Sequence, residues 1–232
     1  MKFIKKNEAV GYLKKNSNED LRLIQKDITS NFTKNFYVMS ALKLYKKIIT
    51  NREKEKESNY YESWTDKSKL CFSLDIDVNE EIKASEFNNI LIHNIKNVIN
   101  FTKETFNYNY KIDDVIVLKT INQDKFSSHI IFRGISFENY LTCKSFYRKL
   151  ENEHTMLFTD PAIYNKTCLR TCFSTKKGKN ADLIPYKLII DNVSTAMPDD
   201  YKSEEDYFLD TLITTIHKQE EKNIIKNDNI EI

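Results

Sequence analysis

Two aspartates, Asp75 and Asp77, stand two residues apart in the run KLCFSLDIDV, from Lys69 to Val78. On an extended chain successive side chains point to opposite faces. Phe72, Leu74, Ile76 and Val78 then make one apolar face, and Ser73, Asp75 and Asp77 share the other. Two strand rises of ~3.3 Å put the carboxylate-bearing backbone positions about 6.6 Å apart, close enough to repel. A cation between them offsets that repulsion. Hard divalent ions such as Mg²⁺ take carboxylate oxygens, and a metal pair draws them from more than one segment. Asp160, in TDPAIY, precedes a proline and is expected at a turn or strand end, which makes it the candidate third ligand.

Two further runs carry polar faces of complementary chemistry. In KFSSH, Lys125, Ser127 and His129 alternate with Phe126 and Ser128; in CLRTCFSTK, Arg170, Cys172, Ser174 and Lys176 share a face. Cations and hydroxyl or imidazole donors beside an acidic cluster suit a nucleoside triphosphate bound through metal ions. Each feature has a plainer reading when taken alone. An Asp-x-Asp strand arises by chance, His129 fits a hydrogen-bonded sheet histidine, and Arg170 fits a cross-strand partner for an acid. Lys176, Lys177 and Lys179 fit a solvated turn. The C-x3-C spacing of Cys168 and Cys172 alternates like a strand and has no second ligand pair, so zinc is not expected there.

SLDIDV, KFSSHIIF and DPAIYNKTCLRTCFSTKKGK occur in the order of three motifs of the archaeo-eukaryotic primase superfamily. The chain most resembles the primase-polymerase branch and the amino-terminal primase modules of large DNA viruses, including poxvirus-type primase-helicases. The similarity spans about Lys69 to Lys179. It implies a metal triad of Asp75, Asp77 and Asp160, with Mg²⁺ or Mn²⁺ in a two-metal site. It implies that Ser127 and His129, with Lys125 beside them, hold the incoming nucleotide's phosphates, and that Arg170 and Lys176 make later triphosphate contacts. The implied activity is template-directed nucleotidyl transfer on single-stranded DNA, with nucleoside triphosphates as substrates and a replicative helicase as a possible partner. Many relatives carry Asp-x-Glu where this chain has Asp75-Ile76-Asp77, and the Cys/His zinc module found in many primase-polymerases is absent from the sequence. Two rivals stand beside this reading: a metal-dependent glycosyltransferase using the Asp75–Asp77 pair, and a non-catalytic single-stranded-DNA-binding relative.

The 232 residues suffice for one substantial core. A net charge of +2, from 36 basic and 34 acidic residues, gives no general attraction for nucleic acid, so local basic patches must supply it. No run approaches the roughly 20 apolar residues of a membrane span, and no signal peptide is evident. Four dispersed cysteines point to an intracellular, reducing compartment.

The elements that must hold these residues follow from periodicity. A capping pattern from Ser17 to Asp20, with Leu21, Ile24 and Ile28, predicts a first helix. Val38, Ala41, Leu42, Tyr45, Ile48 and Ile49 predict a second, with Lys43, Lys46 and Lys47 as possible DNA contacts, followed by a charged connector from Asn51 to Asn59. A long helix is expected from near Asn79, with Phe87, Ile90, Leu91, Ile95 and Val98 inward. Asp114–Thr120 and Lys125–Gly134 read as a hairpin, Ser136 as a helix start, and Thr167–Thr175 as a strand. Asp182–Ile190 reads as an edge strand because of Pro185. Ser203 opens a last helix to about His217. The expected fold class is α+β, a mixed and largely antiparallel sheet with packed helices. The expected divisions are a helical region at 1–66, the catalytic core at 67–217 and a frayed tail at 218–232.

Overall fold

The computed structural model describes residues 1–16, 20–29, 33–120, 126–166, 168–179, 181–217, 220–226 and 230. Along the chain come β1 (Lys2–Phe3), α1 (Lys6–Lys15), β2 (Leu21–Asp27), β3 (Lys34–Ser40), α2 (Ala41–Glu53), β4 (Tyr60–Ser63) and β5 (Leu70–Val78). They are followed by α3 (Ala84–Phe106), β6 (Val115–Thr120), β7 (Phe126–Phe137), α4 (Tyr140–Glu153), α5 (Ile163–Lys166) and β8 (Cys168–Arg170). The last elements are β9 (Leu183–Pro185), β10 (Ile189–Ile190), β11 (Val193–Ser194), α6 (Glu204–Asp210) and β12 (Ile224–Ile225). The fold is α+β, as its alternating patterns imply. Among the described residues no helix is long and apolar enough to cross a bilayer.

Two five-stranded sheets carry the structure. The first, in the order β1-β3-β2-β4-β8, is antiparallel throughout. The second is built around β7, which pairs antiparallel with β5 and β6; β9 extends β6, and β12 joins the far end of β7 in parallel. Pro185 indeed lies on an edge strand, where its missing N–H costs no ladder bond. Apolar residues of β5, β6 and β7 meet Phe87, Leu91, Ile95 and Val98 of α3, all fully buried. Glu86 caps this helix by accepting the Lys83 N–H at 2.7 Å. Phe72 of β5 packs edge-on against Phe146 of α4, with ring centroids 4.7 Å apart.

Several expectations need correction. Leu21–Asp27 is strand, not helix, because it pairs on both edges and buries both faces: Leu23 against Ala9 and Val38, and Ile24 in the main core. Ser17 lies outside the described residues. The expected helical region at 1–66 therefore contributes four strands, and its Ile24, Met39 and Tyr60 share one buried cluster with Phe72 and Phe132. Val38 ends in β3, and the second helix begins at Ala41, where the Ser40 hydroxyl accepts the Lys43 N–H. Ser136 stays in β7; Asn139 caps α4 by accepting the Leu141 and Thr142 N–H groups. The strand expected to reach Thr175 stops at Arg170, followed by a turn with Phe173 at φ 59°. The last helix ends at Asp210.

Among the described residues beyond 217, Glu220, Ile225 and Ile230 are buried in the fold. Past Phe132 the β5–β7 register slips, so that Phe72 faces Phe132 but Cys71 faces Ser136. Gly134 sits in this irregularity at φ 104°, and a Cβ there would collide with the Tyr108 hydroxyl. Glu220, 2% exposed, fills the gap. Its carboxylate accepts the Gly134 N–H at 2.9 Å and the Arg133 guanidinium at 2.7 Å, while Arg133 also donates to the Thr215 carbonyl. Removing one partner of a buried pair strands the other charge. Glu220→Ala is therefore expected to lower stability by about 3–5 kcal/mol in urea unfolding; a loss below ~1 kcal/mol would mean the pair behaves as a surface ion pair.

Candidate active site

The alternation of β5 holds as expected: Leu74, Ile76 and Val78 are buried, while Asp75 and Asp77 are partly exposed on the other face. The register with β7 places Asp75 opposite His129 and Asp77 opposite Ser127. On the other side of β7, β6 sets Leu118 beside His129 and Thr120 beside Ser127. Directly opposed residues share a face, so one polar surface runs across three strands.

Asp160 joins it by backbone bonding rather than by a strand of its own. The Asp160 N–H donates to the Asp75 carbonyl at 2.7 Å, and the Asp77 N–H donates to the Phe158 carbonyl at 3.1 Å. Phe158–Asp160 thus lines the edge of β5 away from β7. Asn94, buried in α3, fixes the approach, donating to the Leu157 carbonyl at 2.8 Å and accepting its N–H at 2.9 Å. The Asp160 carboxylate accepts the Ala162 N–H at 2.8 Å, which closes the turn at Pro161.

The cations arrive from the other sheet. Arg170, 5% exposed, reaches across from β8 to donate to the Thr120 hydroxyl at 2.8 Å and the Ala181 carbonyl at 3.3 Å. Lys176 lies exposed on the following turn, which Thr175 fastens through its N–H to the Ser58 carbonyl at 2.7 Å. Cys172 and Ser174 are fully buried behind that turn, and the Ser174 hydroxyl bonds Thr171. Lys125 lies outside the described residues. The described candidates Asp75, Asp77, Asp160, Ser127, His129, Arg170 and Lys176 therefore meet in one place. Thr120 and Asn94 escaped the sequence reading. Thr120 closes a β-branched run that carried no motif, whereas Asn94 was legible as a polar residue on the apolar stripe of a helix.

Crowded acids shift each other's titration. Burial and the neighbouring Asp77 carboxylate push Asp75 up to about 7, with Asp160 adding to the rise and Lys176 and Arg170 opposing it. Burial and the Arg170 charge lower His129 to about 3, so its imidazole is neutral at physiological pH. The 3.5 Å approach of His129 Nε2 to Asp75 Oδ1 is then a polar contact, not an ion pair. Neither His129 Nδ1 nor Arg170 Nε has a hydrogen-bond partner among the described residues. Among the described residues no three Asp, Glu, His or Cys side chains form a ready-set metal cage. The donor set nevertheless fits hard divalent ions in kind: carboxylate oxygens drawn from two segments.

A carboxylate whose folded pKa exceeds its unfolded value binds more protons in the native state, so stability falls as pH rises between the two. Asp75, at about 7 against 3.8 unfolded, spans that window. Asp75→Asn should match wild type near pH 4 and exceed it at pH 8 by on the order of 1–3 kcal/mol in metal-free thermal unfolding. Parallel pH profiles would refute the raised proton affinity of Asp75.

No family model matches the chain. It is 25% identical over 224 residues to the uncharacterized protein ORF49 of Ostreid herpesvirus 1 (isolate France), an alignment covering 80% of this chain and 19% of that protein. The chain thus spans about a fifth of the length of the viral protein it matches.

Proposed function

We propose that this chain is a primase or primase-polymerase module that performs metal-dependent, template-directed nucleotidyl transfer on single-stranded DNA. The observation that carries the reading is the 2.7 Å bond from the Asp160 N–H to the Asp75 carbonyl. It brings the third acid of the motif set beside the first two, on a surface that also holds Ser127 and His129. The ordered motifs resembling the archaeo-eukaryotic primase superfamily support the same reading. The counterpart in the herpesvirus protein is one part of a much longer chain.

In the proposed reaction a 3′-hydroxyl oxygen attacks the α-phosphorus of a nucleoside triphosphate and gives up its proton to water, and the bond from the α-phosphorus to the bridging oxygen breaks to release pyrophosphate. Mg²⁺ or Mn²⁺, held by Asp75, Asp77 and Asp160, would supply Lewis-acid stabilisation of the attacking and leaving oxygens. The protein's own groups bind and orient. His129, neutral and wedged against β6, can donate an N–H to a phosphate oxygen without paying for a buried charge. The Ser127 hydroxyl lies one register step away on the same face. Arg170 is oriented by Thr120 and the Ala181 carbonyl, which leaves its Nε for an anionic acceptor. Lys176 adds an exposed cation for the triphosphate tail.

The glycosyltransferase alternative uses the acidic pair but gives Ser127, His129 and Lys176 no task. The non-catalytic alternative keeps DNA binding and needs no acids. Incubation with unprimed single-stranded template, labelled nucleotides and Mg²⁺ or Mn²⁺ separates the three. A product ladder is expected from wild type and none from the Asp75→Ala/Asp77→Ala variant, whose activity should drop by at least about 10³-fold. Undiminished incorporation by that variant would overturn the proposal. Arg170→Lys, which keeps the charge but loses the planar fork, should lower incorporation by about tenfold or more; unaltered rates would remove Arg170 from the site.

A further inference from the structure

Phe158, beside the acids, carries two costs that packing does not offset. Its φ of 54° lies in the left-handed region, where a bulky side chain is a steric outlier and glycine or asparagine is favoured. Its side chain is also 40% exposed, and among the described residues it packs in neither buried cluster. Phe173 makes the contrast: at φ 59° it is buried and stacks on Phe208, with ring centroids 6.4 Å apart. Backbone in this region persists where its surroundings over-determine it, and such residues cluster at functional sites. Asn94 bonds both the N–H and the carbonyl of Leu157, and the Phe158 carbonyl accepts the Asp77 N–H. Thr159 pairs with Ile76, and its hydroxyl bonds that of Tyr147 at 2.7 Å.

The register gives Phe158 a definite place. Thr120, Ser127, Asp77 and Phe158 stand in one row across the sheet, each beside the next. Arg170 bonds the Thr120 end of that row. Ser127, His129 and Arg170, the groups proposed to hold the triphosphate, thus lie on one side of the acids, and Phe158 lies on the other. Two strand spacings, roughly 10 Å, separate Phe158 from Ser127 and leave room for the reacting phosphate between them. Phosphoryl transfer runs with the attacking and leaving oxygens roughly in line. Pyrophosphate then departs toward the Thr120 end, and the nucleotide bringing the 3′-hydroxyl approaches from the Phe158 end.

Resting on the primase reading above, we propose that Phe158 is a stacking platform for the base of the initiating nucleotide, whose 3′-hydroxyl attacks when no primer exists. In primer extension the preceding base of the primer covers that face. At the first bond the strand has no such base, and the exposed phenyl supplies the contact. Stacking on an aromatic ring suits any base.

The test compares dinucleotide formation on unprimed template with extension of an annealed primer, using the full chain and Mg²⁺ or Mn²⁺. Phe158→Asn removes the ring and suits the left-handed backbone, so its melting temperature should not fall below that of wild type. It should lose about fivefold or more in unprimed synthesis relative to primer extension, through a higher KM for the initiating nucleotide. Phe158→Trp, which restores a stacking face, should recover the wild-type ratio. Equal losses in the two assays, no loss in either, a deficit that Phe158→Trp leaves uncorrected, or a lower melting temperature for Phe158→Asn would each overturn the platform and leave the primase reading standing. Wild type that extends primers but forms no first bond would do the same. Wild type inactive in both assays would overturn the primase reading, and the platform with it.

Discussion

The candidate site rests on a backbone arrangement that electrostatics opposes. Phe158–Asp160 bonds along the outer edge of β5, so a third carboxylate settles beside two that already repel. Backbone hydrogen bonds are indifferent to side-chain charge, and the buried N–H and C=O groups of β5 need partners whatever the side chains carry. Burial and the Asp77 carboxylate raise the proton affinity of Asp75 to about 7, and Asp160 adds to the rise. Everything around it bears on that tension: Asn94 holds the edge segment in place, Arg170 and Lys176 bring positive charge from the other sheet, and the carboxylates gather where a cation relieves them.

The division of labour between the sheets follows from this. The β7-centred sheet supplies Asp75, Asp77, Ser127 and His129 at registers fixed by the β5–β7 ladder, and Asp160 bonds along the other edge of β5. The other sheet supplies Arg170 from the short edge strand β8, and the turn carrying Lys176 follows directly. Arg170 ties the two together through Thr120. A substrate lying there would contact both layers, and small shifts between them would change the distance from phosphate-binding cations to acids.

The α+β class and the faces of the motif strands were legible in the sequence, the element boundaries less so. Period-two alternation in SLDIDV assigns faces correctly because β5 buries its apolar side and leaves Asp75 and Asp77 partly exposed; β7 is buried on both sides, and only residue type marks the face of Ser127 and His129. The same logic failed at Leu21–Asp27, where burial on both faces removes the alternation and Leu21, Ile24 and Ile28 mimic a helical stripe. Composition rich in Lys, Asn and Ile dulled propensity further. Contacts that link distant segments left no local trace: the Arg133–Glu220 pair closes 87 residues, and the Arg170–Thr120 bond 50. Asp160 was found as a residue, but its mode of attachment, edge bonding to β5 under the control of Asn94, became visible only in three dimensions.

The central claim is that Asp75, Asp77 and Asp160 act as one ligand set. Manganese binding followed by electron paramagnetic resonance addresses it without any assumption about substrate. Saturable binding by wild type that weakens about tenfold or more in Asp160→Asn, as in Asp77→Asn, is what the account predicts. Binding untouched by Asp160→Asn would contradict it.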